Sequence, residues 1–560
     1  MKNKNAIFIP LKNSNLLCLS TFIFCAIFCS SSVFSQDKDV GSIHGNFQTD
    51  VQYYNVDTVI GAPIVPEKLL MNGFANIIYT KGNFNAGLRY ESYMNALQGF
   101  DPGFKGNGIP FRYASYSLDG LDVTVGNFYE QFGTGLILRT YEERGLGYDN
   151  AFDGIRVKYS PLSGIYLKGI IGRQRLFFDY GPGIVRGIDG EIMLNELSEY
   201  FSEMKTRITV GASFVSKFQR DQDPIYNLPE NVGSFGGRLN ISRGKISLLS
   251  EYAYKINDPS AVNQYIYRHG EAMFLSASYS QKGLGIVIAA KRIDNMNFRS
   301  DRNATANNLN INFLPALTKQ HVYNLAATLY PYATQFNGEM GIQGDLIYTI
   351  KKGTLLGGKY GTGLNINYSA VNNIHTVPLD DLNEKRIGYT SDFFTPGDEV
   401  FFRDFNVELT KKISKRIKMN LMYVNFVYNM EVVQGLGGKG TVYADVAIAD
   451  ISFKLSDKSS IRTELQSLTT KQDLGNWATG ILEYTYSPSW FVAVMDQYNY
   501  GNTNPDQRIH YVTGSVGYTK KANRFMLTYG RQRAGIFCIG GVCRNVPASN
   551  GLTLTITSSF

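Results

Sequence analysis

From Gln36 to Phe560 the apolar residues recur at every second position in stretch after stretch, and nowhere do they accumulate into a run long enough to cross a bilayer as a helix, about 20 residues. Spanning helices are therefore excluded. In GSIHGNFQTDVQYY, Ile43, Phe47, Val51 and Tyr53 share one face, and His44, Asn46, Gln48, Asp50 and Gln52 share the other. GGKYGTGLNINYSA repeats the pattern, with Tyr360, Leu364, Ile366 and Tyr368 opposing Lys359, Asn365, Asn367 and Ser369. A strand with lipid outside and water inside requires this period of two. Composition agrees: 44% hydrophobic, 18% charged, 37 Tyr, 35 Phe and 56 Gly against 17 Pro exclude a disordered chain, a coiled coil, a collagen and a small disulfide scaffold.

Short polar turns join the strands: TKGN at 80–83, DG at 119–120, SPLSG at 160–164, RGK at 243–245, QKG at 281–283, KKG at 351–353, SDKSS at 456–460, SPS at 487–489 and KKAN at 520–523. Longer segments rich in Asn, Asp and Gly separate the resulting hairpins. Outer-membrane barrels are laid out this way, with the short turns periplasmic, and counting under that rule predicts an all-β, single transmembrane antiparallel barrel of about 26 strands, within a range of roughly 22 to 26. NELSEYFSEM, residues 195–204, has helical spacing at Leu197, Tyr200, Phe201 and Met204, and is expected as a short helix on the periplasmic side. The last ten residues, GLTLTITSSF, put Leu552, Leu554, Ile556 and Phe560 on one face and Thr553, Thr555, Thr557 and Ser559 on the other. A closing strand that ends in an aromatic is similar to the C-terminal signal that the barrel-insertion machinery of bacterial outer membranes reads; an ordinary amphipathic strand is the alternative.

Lys2, Lys4 and Lys12 precede an apolar stretch from Leu16 to Phe34, and Val33-Phe34-Ser35 presents small groups where a signal peptidase reads them. Residues 1–35 are thus expected as a signal peptide and 36–560 as the barrel. A retained anchor is the rival reading, but no stop-transfer charge cluster follows. Bulky Leu17, Phe24 and Phe28 before Cys18, Cys25 and Cys29 argue against lipidation. About six residues then precede the first strand, too few for an N-terminal plug domain. Cys538 and Cys543, separated by IGGV, suit a hairpin-tip disulfide in an extracellular loop; a metal pair is the alternative, without a His or a second Cys pair to complete it. Once the leader lysines are removed, 52 basic residues face 47 acidic ones, an excess of +5 that is too dilute to indicate a nucleic-acid surface.

The segment 126–156 differs from the rest. Glu130, Arg139, Glu142, Glu143, Arg144, Asp149, Asp153 and Arg156 crowd into it, and Arg173, Arg175, Arg186 and Asp189 follow. Opposed charges at this density pair, and inside a barrel they build either a constriction that sorts solutes or a network that fixes a loop against the wall. The pattern G-x-F-Y-E-Q-F-G-x-G-L-x-L-R-x-Y-E-E-R-x-L-G-x-D-N from Gly126 to Asn150, the stretch GIVRGIDGE at 183–191 and a leader ending just before Gln resemble a family of Bacteroidota outer-membrane β-barrel proteins classed as a domain of unknown function. The resemblance covers the mature chain and implies outer-membrane location and barrel architecture, with no catalytic assignment.

Chemistry-bearing motifs are lacking. His44, His269, His321, His375 and His510 lie far apart without an HExxH, GSVG at 514–517 lacks the spacing of a nucleophile elbow, and GLGGKG at 435–440 lies in a loop. No enzyme, metal or cofactor is expected. Two functions remain open. One is a porin-like channel narrowed by the charged segment, and the other is a non-enzymatic scaffold subunit of an outer-membrane protein assembly or secretion machine. The expected partners are outer-membrane lipids, the insertion machinery and, for the scaffold, other envelope proteins.

Overall fold

The computed structural model describes residues 41–381, 383–539 and 542–560; the expected signal peptide lies outside them. Every strand of the main sheet is hydrogen-bonded antiparallel to its sequence neighbours, giving 24 strands. The first strand, Ser42–Asn55, pairs with Leu69–Lys81 on one side and with Ser549–Ser559 on the other, so the sheet closes and leaves no edge. Closure is what a bilayer demands, because an unpaired strand edge in lipid strands its N–H and C=O groups. Leu554 lies opposite Val51 and Leu552 opposite Tyr53, while on the other face Thr555 donates its hydroxyl to Asp50 at 2.7 Å. Gly45 and Phe560 exchange backbone hydrogen bonds of 2.9 and 3.0 Å.

Parity along each strand separates lipid from lumen. On Asp179–Met193, Ile184, Ile188 and Ile192 are exposed, and Gly181, Gly183, Val185, Gly187 and Asp189 are buried. The exposed set continues round the wall as Leu239, Leu248, Ile288, Ile342, Leu465 and Leu527. Near the short turns this outer face becomes aromatic, with Tyr116, Tyr159, Tyr348, Phe453, Tyr486 and Trp490 exposed. An apolar belt flanked by aromatics whose polar tips reach the headgroups is the signature of a barrel seated in a membrane. Among the described residues, no helix is long and apolar enough to cross one. The protein is a multi-pass β-barrel of the outer membrane.

The wall has 24 strands where about 26 are expected. Residues 295–337, long enough for a further hairpin, fold into the lumen instead of adding to the wall. The turn at 413–416, Ile-Ser-Lys-Arg, carries neither Gly nor Pro and gives no sequence signal. The predicted helix at 195–204 forms as two short pieces, Leu194–Leu197 and Glu199–Ser202, interrupted where Ser198 is extended at φ −159°. Backbone pairing sets Cys538 directly opposite Cys543 in a small hairpin, Gly535–Ile539 with Val542–Val546, outside the main sheet and on the side of the long loops.

Candidate functional site: the occupied lumen

Two loops from the long-loop side turn inward. The first, residues 129–151, connects the fifth strand, Leu121–Phe128, to the sixth, Phe152–Leu162; the second, 295–337, connects the thirteenth, Leu284–Asp294, to the fourteenth, Gly338–Ile350. They bind each other through their backbones: Arg139 N donates to Ile311 O at 2.8 Å and Phe313 N to Gly135 O at 2.9 Å. Together they cover the inward apolar side chains of one half of the wall. Phe132, Leu136, Ile137 and Leu138 of the first loop, with Met296, Phe298 and Ile311 of the second, form a dry core against Val185, Val215, Val232 and Ile293.

Inward glycines make this approach possible. A Cβ on Gly183 would lie 1.9 Å from the carbonyl oxygen of Ser300, one on Gly181 2.7 Å from Leu309, and one on Gly187 2.8 Å from the Phe132 ring. The motif GIVRGIDGE is thus a smooth patch of wall on which both loops rest. Within the first loop, Gly133 and Gly135 take positive φ, and the amide following Gly133, Thr134 N, donates to Glu251 of the eleventh strand, Ile246–Lys255, at 2.7 Å.

Further along, the second loop crosses the lumen. Asn310 O accepts from Gln174 at 2.8 Å, on the seventh strand, Ile165–Leu176. Leu325 N donates to Gln466 at 2.9 Å, on the nineteenth, Ser459–Thr470. In a ring of 24 those strands are twelve apart and face each other. Between these anchors Lys319 donates to Asn406 at 2.9 Å, His321 meets Asp404 at 2.6 Å and Tyr323 donates to Asp450 at 3.3 Å. Leu325, Tyr330 and Tyr332 then pack into a second core with Phe402, Phe426, Tyr428 and Trp477. Arg533, which donates to Thr328 and lies over the Trp477 ring at 5.5 Å, holds the far end.

The predicted charge cluster divides into two networks, one with a dry centre and a partly exposed margin at Glu142 and Arg144, the other a buried carboxylate met by partly exposed cations. In the first network Arg175, about 1% exposed, grips Glu91, equally buried, at 2.6 Å and Asp149 at 2.6 Å; Arg89 pairs with Asp149, with Glu91 at 2.7 Å and with Glu142 at 2.7 Å. Arg144 pairs with Glu142 at 2.6 Å above the Phe74 ring, and Glu143 caps Gly145 N at 3.2 Å. In the second network the buried Glu130 collects the partly exposed Lys168 at 3.0 Å and Lys158 at 3.2 Å, and Arg156 at 3.9 Å; Arg156 also reaches Asp122 at 3.2 Å. Arg139 belongs to neither and lies over the Phe313 and Tyr141 rings, 4.1 and 4.9 Å from their centroids. Asp153 corrects the expectation. It shares the parity of exposed Ile155 and Tyr159, so it faces outward, where it pairs with Arg112 at 3.3 Å.

Sequence reasoning missed the whole second loop and the partners that receive the first, Arg89, Glu91 and Glu251. The length of 295–337 was its available signal, since a structureless connection of that size in a compact fold is a functional loop or a linker. Among the described residues, no group of His, Cys, Asp and Glu could hold a metal ion.

Solved structures with related architecture include the P pilus usher (PapC) translocation pore, at 10% identity over 92% of this chain and 99% of that one, with a TM-score of 0.42. The siderophore receptor PirA from Pseudomonas aeruginosa matches at 8% identity over 94% and 82%, TM-score 0.39. The outer membrane protein opdK from the same species matches at 8% over 93% and 98%, TM-score 0.30. These likenesses carry no functional argument. No curated protein matches the chain. A family model, by contrast, matches residues 14–560, which takes in the whole barrel and both loops that fill it, and the chain therefore belongs to DUF6029, a family of unknown function.

Proposed function

We propose that this barrel is a non-enzymatic scaffold of the outer membrane whose lumen is held shut by its own loops, serving a protein assembly or secretion machine. The observation that carries this reading is the second loop's crossing from Gln174 to Gln466, anchored at both ends and packed into two dry cores. Interiors packed to this extent are rigid and resist partial opening. Buried ion pairs with both partners near 1% exposure support the same reading, because freeing either partner leaves a charge without water or counter-ion. Purification in mild detergent tests it: the barrel should leave the membrane with stoichiometric envelope proteins, and a lone monomer at every detergent concentration would count against a scaffold.

The porin-like reading keeps one supporting observation, the partly exposed ammonium groups of Lys158 and Lys168 on the lumen wall, both paired with the buried Glu130. It would require the second loop to withdraw.

A further inference from the structure

The small excess of positive charge is concentrated at one place. Between two neighbouring short turns, 413–416 and 455–458, the periplasmic mouth holds a cleft of about 420 Å³ lined by Lys412, Lys415, Arg416, Lys418, Lys454 and Lys458. Asp457 is the one carboxylate in its lining; it accepts from Lys454 at 2.8 Å, and that ammonium holds its carboxyl below the usual carboxylate range. Among the described residues the other five cations make no contact ion pair with a carboxylate, Arg416 acting on Asp457 only from a distance. Lys412 and Lys359, from the turn before, lie over the ring of Tyr360 at 5.1 and 5.9 Å, and Lys351 and Lys352 extend the basic arc along that turn. Acidic residues of the same rim collect elsewhere, as Glu196, Glu199 and Glu203 on the connection after the eighth strand, eight strands from the cleft.

Parity decides what such a cleft can meet. Leu421 and Tyr423 on one strand and Ile451 and Phe453 on the next face lipid, so Lys418 and its pairing partner Ser452, with Lys454 opposite Ser460, face the lumen mouth. A lipid headgroup would approach from the wrong side. The cations run along two turns toward a third instead of converging on one point, which fits a row of acidic groups better than a single phosphate. Unpaired like charges held this close repel one another, and an oppositely charged partner relieves that repulsion while being steered in by the same field. We propose that the cleft docks an extended acidic polypeptide segment of a periplasmic partner. This names the partner's chemistry for the scaffold reading and rests on it.

The test uses the full chain in detergent micelles and a fluorescein-labelled octaglutamate peptide followed by polarisation. Binding should weaken as salt rises, and it should fall about tenfold or more in Lys415→Gln/Arg416→Gln/Lys458→Gln, whose sites are exposed turn positions, while Lys520→Gln/Lys521→Gln on another turn binds as the parent does. Absence of binding, or equal affinity in the triple variant, would overturn the proposal. So would displacement by inorganic phosphate at matched charge concentration, which would assign the cleft to small anions. Binding in micelles does not depend on conduction, so a barrel that conducts and still binds the peptide through these lysines loses the scaffold reading and keeps the cleft.

Discussion

The ion pairs Arg175–Glu91 and Arg144–Glu142 carry the same chemistry and sit in very different surroundings. Arg175 and Glu91 bury each other almost completely, whereas Glu142 and Arg144 remain about one-fifth to one-quarter exposed. Removing one partner of a buried pair costs about 3–5 kcal/mol because the survivor stays charged in a dry site, while a partly wetted pair contributes about 0–1 kcal/mol. Glu91→Gln should therefore lower the urea midpoint of the folded barrel several times more than Arg144→Ala does; equal shifts would mean that the network is wet throughout. The sequence displayed the acidic and basic residues of 126–156 but not this division, since burial depends on Arg89, Glu91 and the second loop, all distant in the chain. Asp153 shows the same limit at its smallest. One residue of strand parity carries it from the lumen to the outer face, and charge density alone contains no parity.

At the level of elements, alternation was legible and loop destination was not. The closing strand could be read from GLTLTITSSF, and pairing of Leu554 with Val51 follows from matching its apolar face to that of the first strand. Short turns were legible wherever Gly, Pro, Asn or Asp marked them, and illegible at Ile413–Arg416. Whether 295–337 lay outside or inside could not be read, because its Asn-rich polarity suits water and its Leu and Tyr residues suit a core. Inward glycines are the element-level trace of that choice. Gly183→Val should displace the second loop, at a cost of about 1–3 kcal/mol for overpacking, and limited proteolysis should then cut within 295–337 while the wall survives. Unchanged protection would show that Ser300 does not rest on that glycine. The Cys538 and Cys543 positions, opposite each other in their hairpin, are expected to be oxidised to one another. Alkylation before and after reduction should reveal two thiols only after reduction, and loss of so short a ring should cost about 2 kcal/mol locally without opening the barrel. Free thiols in freshly isolated membranes would contradict the pairing.

For the whole molecule, the closed wall, the apolar belt and the two infolded loops together support the proposed reading of a barrel sealed from within. The wall was predictable because lipid imposes one rule on every strand, whereas the contents of the lumen obey ordinary packing, which depends on contacts between distant segments. Conductance separates a sealed barrel from an open one most directly. Reconstituted into planar bilayers, the intact chain should give no conductance steps, and a variant in which residues 303–334 are replaced by a short Gly-Ser linker should give large, steady ones while keeping its heat-modifiable fold. Steady porin-like steps from the intact chain would contradict the account, because loops anchored from Gln174 to Gln466 could not then be holding the lumen shut.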